Sequence, residues 1–504
     1  MLAEGSGGGG RLRGYGVEVT DHPIEAAVEG VPGAVSLAPS SVVPALGGEL
    51  VLPAGSAVGA DTVRAGLLQA GPLAVAGVLA NGANVIVTVL LARLLTTRGY
   101  GELNVLTGLF LIVSMPGSAV IVAVVRRVTG SMPADRVQRW ARRLHRRASV
   151  ALVVFAVVVL AVGDWLSGVL NQQDVGGVDA ILIAGAVWIL LCLDRGLLQA
   201  HRSYRTLAVN LLVEGGVRTV AMLSLVAAGL GPTGAAVGVL VAEVVTAVHA
   251  RVAADKVWAA EEPSGLRRRA RHAVMGPVGR WMASFRADPD LASPPAERRA
   301  SLADLVAALV ALAMVALLQN VDVIVLGRED PTQSGSYAAV SVASKALVFG
   351  AVVLGGYLLP EAAIRWRQGG HALRQLAVTF LLLGIPAALL LTLALAAPHL
   401  LLSVVFSSRY LGAESAFLPL VLAMVCLSVT VVLTMYLLAV GRRWITGVLV
   451  VGAVAATLAV AGAHGVPRTT ARADLAVQAA LAAVTVVGFG LVHQRRIGKI
   501  HTQP

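Results

Sequence analysis

From Pro72 to His493 the chain is a succession of apolar stretches, and its Arg and Lys residues fall almost entirely in alternate gaps between them. A hydrocarbon core of about 30 Å takes roughly 20 apolar residues per helix, and stretches of that length recur throughout. Lipid offers no partner to a backbone N–H or C=O, so such stretches must close their own hydrogen bonds as helices. The gap after Val125 reads RRVTGSMPADRVQRWARRLHRR, whereas the next, NQQDVGGVD, has two Asp and no base. Basic loops resist translocation, so the alternation gives the orientation as well as the fold.

Composition agrees. The chain has 504 residues, 57% of them hydrophobic and 13% charged, with a net charge of +12. Soluble domains carry charge on about a quarter of their residues. The excess of bases is what positive-inside loops beside anionic headgroups require, and no nucleic-acid partner is expected. Cys192 and Cys426 both sit inside apolar runs, as small buried hydrophobes do, and form neither a disulfide framework nor a metal site.

Gaps at polar or Gly/Pro clusters divide the chain into twelve spans, near 72–95, 103–125, 148–170, 178–200, 206–229, 232–254, 301–327, 335–361, 374–397, 414–440, 444–463 and 474–493. The third is interrupted by Asp164 and Trp165. The fold expected is therefore an all-α integral membrane protein of about twelve transmembrane helices. A polar stretch at 255–300 separates six spans (71–254) from six (301–494), which suggests two pseudo-symmetric six-helix lobes around a central cavity. Its segment GLRRRARHAVMGPVGRWMASF reads either as a helix on the inner membrane surface or as a solvated linker. Residues 1–70, with a GSGGGG run and no secretory pattern, read as a disordered tail or as translated sequence upstream of the true start. Both termini, including the 495–504 tail, are expected in the cytoplasm.

Several strings then carry a family resemblance. They are LARLLTTRGYGELNVL, HRSYRTLAVNLLVEGGVRTVAMLSLVAAGLGPTGAAVGVLVAE, LLQNVDVIVLGREDPTQSGSYAAVSVASKALVFGAVVLGGYLLPEAA and FSSRYLGAESAFLPLVLAMVCL. Together they resemble the polysaccharide-biosynthesis flippases of the multidrug/oligosaccharidyl-lipid/polysaccharide exporter superfamily. The matching positions are Asn320 and Asp322 near the end of the seventh span, Gly335 and Tyr337 opening the eighth, and Pro360 closing it. The resemblance covers about residues 70–495. It implies alternating access of two lobes and movement of a polyprenyl-pyrophosphate-linked oligosaccharide across a bacterial inner membrane, with membrane lipids, a polymerase and glycosyltransferases as partners. A drug or cation exporter of the same fold is the alternative. A membrane-embedded glycan polymerase or lipid-linked glycosyltransferase is the rival from another class, and the short outer gaps speak against it.

A charge at mid-bilayer is costly, so each ionisable residue inside a span is a candidate functional group. Glu214 and Arg218 lie at i, i+4 on one face of the fifth span. Arg218 is eleven residues before Gly229 and Glu243 eleven after Pro232, so both lie roughly 16 Å from the GLGPTG turn and can form one cluster. Asp322 and Lys345 form a parallel pair in the other half, with Asn320 beside them. Two readings stand side by side: Arg218 and Lys345 meet the substrate pyrophosphate in a cationic central cavity, or each cation is neutralised by its own carboxylates. Asn84, with Asn81 on the same face, is either cavity lining or helix–helix hydrogen-bond glue. Arg93 is expected to snorkel to the headgroups. Asp194 and Arg195 read as an interfacial pair, and Gly215, Gly216, Gly355 and Gly356 as packing or bending points. The histidines lack metal spacing, there is no Walker A motif and no catalytic arrangement, so neither an enzyme nor a cofactor is expected.

Overall fold

The computed structural model describes residues 60–128, 134–261, 295–367 and 373–501. Most of the expected N-terminal tail and of the 255–300 linker, with its candidate surface helix, lies outside these residues.

The described residues are helical almost throughout. In the first half, α1 (Ala60–Leu94), α2 (Thr97–Ser114), α3 (Gly117–Val128), α4 (Ala134–Val169), α5 (Val175–Ala200), α6 (Tyr204–Leu225) and α7 (Gly231–Glu261) follow one another. The second half holds α8 (Pro295–Glu329), α9 (Pro331–Arg367), α10 (Leu373–Ala396), the short α11 (Pro398–Val405), α12 (Phe417–Ala439), α13 (Trp444–Ala461) and α14 (Pro467–His501). Among the described residues, eleven segments are long and apolar enough to cross a membrane, and one of them, the 54-residue stretch Tyr204–Val257, is two crossings. It doubles back through Val226–Leu230, where Gly229 (φ 89°) and Gly231 (φ 54°) take left-handed backbone that a side chain would resist. Twelve crossings result.

Two details differ from the sequence reading. The second span is two helices, because Pro116 has no N–H to continue the ladder of α2. The bases of the second gap are not a loop: from Ala134 they begin α4, which continues unbroken past Asp164 and Trp165. The N-terminal part of α4 packs Val137 and Ala141 on Val124 of α3 and on Leu193 and Leu197 of α5, with Trp140 alongside. Beyond it, Val150, Val153, Val154, Val157, Val158 and Leu160 stand exposed, as lipid-facing residues do.

Within the first lobe, α5 and α6 both pack on α7, α1 packs on α6, and α3 and α4 pack on α5. Within the second, α12 packs on α9 and α14, and α13 on α8. Close backbone approach sets the α6–α7 pair, since a Cβ on Gly238 would lie 2.6 Å from the Met222 amide nitrogen. Gly215 likewise brings α6 onto Ala80 of α1, and Gly355 lies against Met435, so both act in packing. The lobes meet mainly where α2 runs along α8 and α9.

The helix ends define two faces. Both α1 and α14 begin and end the twelve crossings on one face, here called proximal; the opposite face is distal. At the distal face the Asn171 amide donates to the Arg328 carbonyl (3.1 Å), and Tyr410 and Arg409 reach the carbonyl of Ala92 at the end of α1.

Candidate functional site

Each lobe buries one cluster of charged groups, and both are built on the same device. On α6, Asn210, Glu214 and Arg218 follow at i, i+4, i+8; on α9, Tyr337, Ser341 and Lys345 do the same. That spacing puts three polar side chains on one helix face, turned into the lobe.

In the first lobe Arg218 donates to Glu214 Oε1 (2.7 Å) and to Glu243 of α7. Arg195 of α5 donates through Nη2 to Glu214 Oε2 (2.6 Å) and through Nε to Asn210 Oδ1 (2.7 Å). The Asn210 amide in turn donates to the Thr246 carbonyl (3.0 Å) and lies 3.0 Å from His249 Nδ1. Three helices are tied together by two guanidinium groups and two carboxylates, all buried. The expected Glu214–Arg218–Glu243 cluster is present, and Arg195 and Asn210 belong to it as well.

Asp194 and Arg195 do not form the expected pair: both side chains are buried and each turns to other partners. Neighbours in a helix point about 100° apart, so Arg195 turns to Glu214 while Asp194 turns to Arg251 (3.3 Å) and His145 (3.5 Å). The signal was available: a base in an apolar span with a Glu nineteen residues on.

In the second lobe Asp322 of α8 accepts from Tyr337 Oη (3.0 Å) and Ser341 Oγ (3.3 Å). Lys345 Nζ lies 3.6 Å from Asp322 Oδ1 and donates to Asn320 Oδ1 (3.2 Å). Asp474 of α14 is near enough for its charge to act on both Lys345 and Asp322, and accepts from Gln478 (3.1 Å). Asp474 and Gln478 were missed in the sequence, although a lone Asp at the start of the last apolar span is a conspicuous signal. Lys345 thus pairs with Asp322 while Asp474 acts on it only through its charge, and Asp322 Oδ1 and Asp474 Oδ2 have no hydrogen-bond partner. Outside the spans, the exposed Arg443 is held further toward its charged form by its hydrogen bond to Asp304.

A cavity of about 60 Å³ opens beside the first cluster, lined by Asn84, Asn104, Thr107, Tyr100, Phe110 and Arg218 among others, all from the first lobe. Asn84 therefore lines a cavity, while the side chain of Asn81 lies outside the described residues. Lys345 is not in this lining; it sits in the second half of the chain. Arg218 also stands 5.9 Å over the Phe110 ring. Arg93 is exposed, as a snorkelling base would be.

No protein-family model matches the chain, and no curated protein does. Solved structures do. An inward-facing multidrug resistance MATE family transporter of the MOP superfamily superposes with a TM-score of 0.56 at 15% identity, covering 83% of this chain and 100% of that one. A MOP superfamily transporter from Pyrococcus furiosus, described as having a binding pocket of reverse polarity that suggests a different function, gives 0.55 at 13% identity over 94% of this chain and 100% of its own. The chain has the MATE transporter fold. At these identities the likeness is one of fold alone.

Proposed function

We propose that this chain is an alternating-access exporter that carries amphipathic organic molecules, cations included, across the membrane. The distal face is taken as the outside, on the strength of the Arg-rich connections at the proximal face. One observation carries the choice of substrate class: Arg195, Arg218 and Lys345, the cations buried at the two clusters, are each held by carboxylates. The second cluster even has a carboxylate to spare. A pyrophosphate entering such a site finds no cation uncommitted, and must break a buried pair to gain one. An amphipathic cation instead meets apolar and aromatic lining (Val87, Leu91, Tyr100, Phe110, Met222) with a few amides and hydroxyls, the usual make-up of an organic-ligand pocket. The MATE neighbour's description as a multidrug resistance transporter supports the same reading.

The second reading, flipping of a polyprenyl-pyrophosphate-linked oligosaccharide at a bacterial inner membrane alongside a polymerase and glycosyltransferases, rests on the ordered motif residues. Four of those now have structural work: Tyr337 and Asn320 hold Asp322 and Lys345, and Gly335 lets α9 approach α2. They belong to the architecture under either reading, which lowers their weight for the substrate.

The test is transport by purified protein in vesicles loaded with a fluorescent organic cation, against vesicles holding a fluorescent lipid-pyrophosphate glycan. Protein-dependent movement of the cation supports the first reading. Movement of the glycan lipid alone replaces it with the second.

A further inference from the structure

The turn between α11 and α12 is the most unusual backbone in the described structure. Ser407, a non-glycine residue, has φ 107°, and the tight helical segment Ser408–Ala416 follows it. Residues held in such conformations are strained and persist where surrounding contacts fix them. The backbone here packs mainly on its own lobe, on α9, α11 and α14, and the Ser407 amide donates to the Leu402 carbonyl (3.2 Å), but the two side chains that follow reach the other lobe. Arg409 Nη2 donates to the carbonyls of Ala92 and Arg93 (the latter at 2.9 Å), and Tyr410 Oη donates to Ala92 (2.5 Å). Those carbonyls are in the last turn of α1, where helix oxygens lack intrahelical donors and the helix end carries partial negative charge. A guanidinium and a phenol together cap it across the lobe boundary.

An aromatic seal lies directly behind. Tyr410, Phe406 and Tyr100 are buried, with ring centroids 5.4 Å apart for Tyr100–Tyr410 and 6.3 Å for Tyr100–Phe406. Tyr100 comes from the first lobe and also lines the Arg218 cavity, so the seal is the distal wall of that cavity. Beside it α2 and α9 touch backbone to backbone. A Cβ on Gly335 would lie 1.8 Å from the Thr97 carbonyl oxygen, and one on Gly101 2.0 Å from Ser334 Oγ. This face is closed by contacts that need glycine.

We propose that Arg409 and Tyr410 are a latch: by capping the end of α1 they hold the distal face shut over the cavity, and their release lets the lobes part there. Ser407, with its positive φ, is the turn that presents them to α1. The inference rests on the alternating-access reading, but its test reads conformation and not transport. Leu230 and Val466, each 51% exposed at distal turns of opposite lobes, are replaced by cysteine and spin-labelled in a Cys192→Ala, Cys426→Ala background. Distances are measured by pulsed electron resonance in lipid nanodiscs. The parent should give a predominant short distance. Arg409→Gln with Tyr410→Phe, and separately Gly335→Ala, should both shift the population to longer distances. Gly82→Ala, which meets nothing within 4 Å, should leave it unchanged. Should Gly335→Ala fail to fold, the Arg409/Tyr410 variant decides alone. Parent-like distances in that variant would overturn the latch. Longer distances in vesicles that move no substrate would keep the latch and remove the exporter reading.

Discussion

Arg195 of α5 and Glu214 of α6 are joined by a 2.6 Å ion pair that neither contacts lipid nor faces solvent. It balances the cluster two against two: Arg195 pairs with Glu214, Arg218 with Glu243, and Glu214 also accepts from Arg218. Breaking a buried pair by removing one partner costs roughly 3–5 kcal/mol, because the other charge is left uncompensated. Arg218→Gln alone should therefore lower the melting temperature and the yield of folded protein in detergent. Arg218→Gln with Glu243→Gln should recover most of both, since Arg195 and Glu214 keep each other. Neutralising Glu214 as well should lose the recovery by stranding Arg195. A triple variant as stable as the double would mean that Arg195 is not part of the network. Export by the double variant would show that no cation at Arg218 is required to hold the substrate.

The second lobe gives the opposite asymmetry. With Lys345 paired to Asp322 and within range of the Asp474 charge, Lys345→Gln leaves two carboxylates in apolar surroundings, whereas Asp474→Asn leaves one matched pair. Asp474→Asn should be the more stable of the two, by thermal melting in the same detergent. Equal loss in both would show that Asp474 stands apart from the cluster.

How much of this was legible in the sequence depends on the range of the interaction that sets each feature. The twelve crossings were legible, because bilayer thickness imposes a length on every span. The Glu214–Arg218–Glu243 group was also legible, since a tight turn at Gly229–Gly231 fixes the pairing of α6 and α7 from local geometry alone. Arg195 and Asp474 were not placed. Their helices reach the clusters through packing of non-consecutive elements, α5 on α7 and α14 on α12, which no local rule specifies. The distal latch lay further still, in a contact between residues 317 and 318 positions apart.

Glycine contacts separate packing from permissiveness. At Gly238 a methyl group would meet the backbone of Met222 and Ala221 at 2.6–2.9 Å, and backbone cannot rotate aside. Overpacking of this kind costs about 1–3 kcal/mol. Gly216, on the same helix pair, has nothing within 4 Å, and alanine there gains helix propensity of about 1 kcal/mol. Gly238→Ala should lower the melting temperature and Gly216→Ala should hold or raise it. The reverse order would show that the α6–α7 contact is looser than described.

Orientation is open to a direct check at residues the structure places. Leu230 and Val466 lie in distal turns, and Arg442 lies in the proximal turn between α12 and α13, where it is exposed. The proximal connections carry the bases that resist translocation, so the distal face is expected outside. In intact cells, an impermeant thiol reagent should label Leu230→Cys and Val466→Cys and should miss Arg442→Cys until the membrane is broken. Labelling of Arg442→Cys from outside, with the other two protected, would invert the chain. The latch would then close the cytoplasmic side, and the proposed export would run as import.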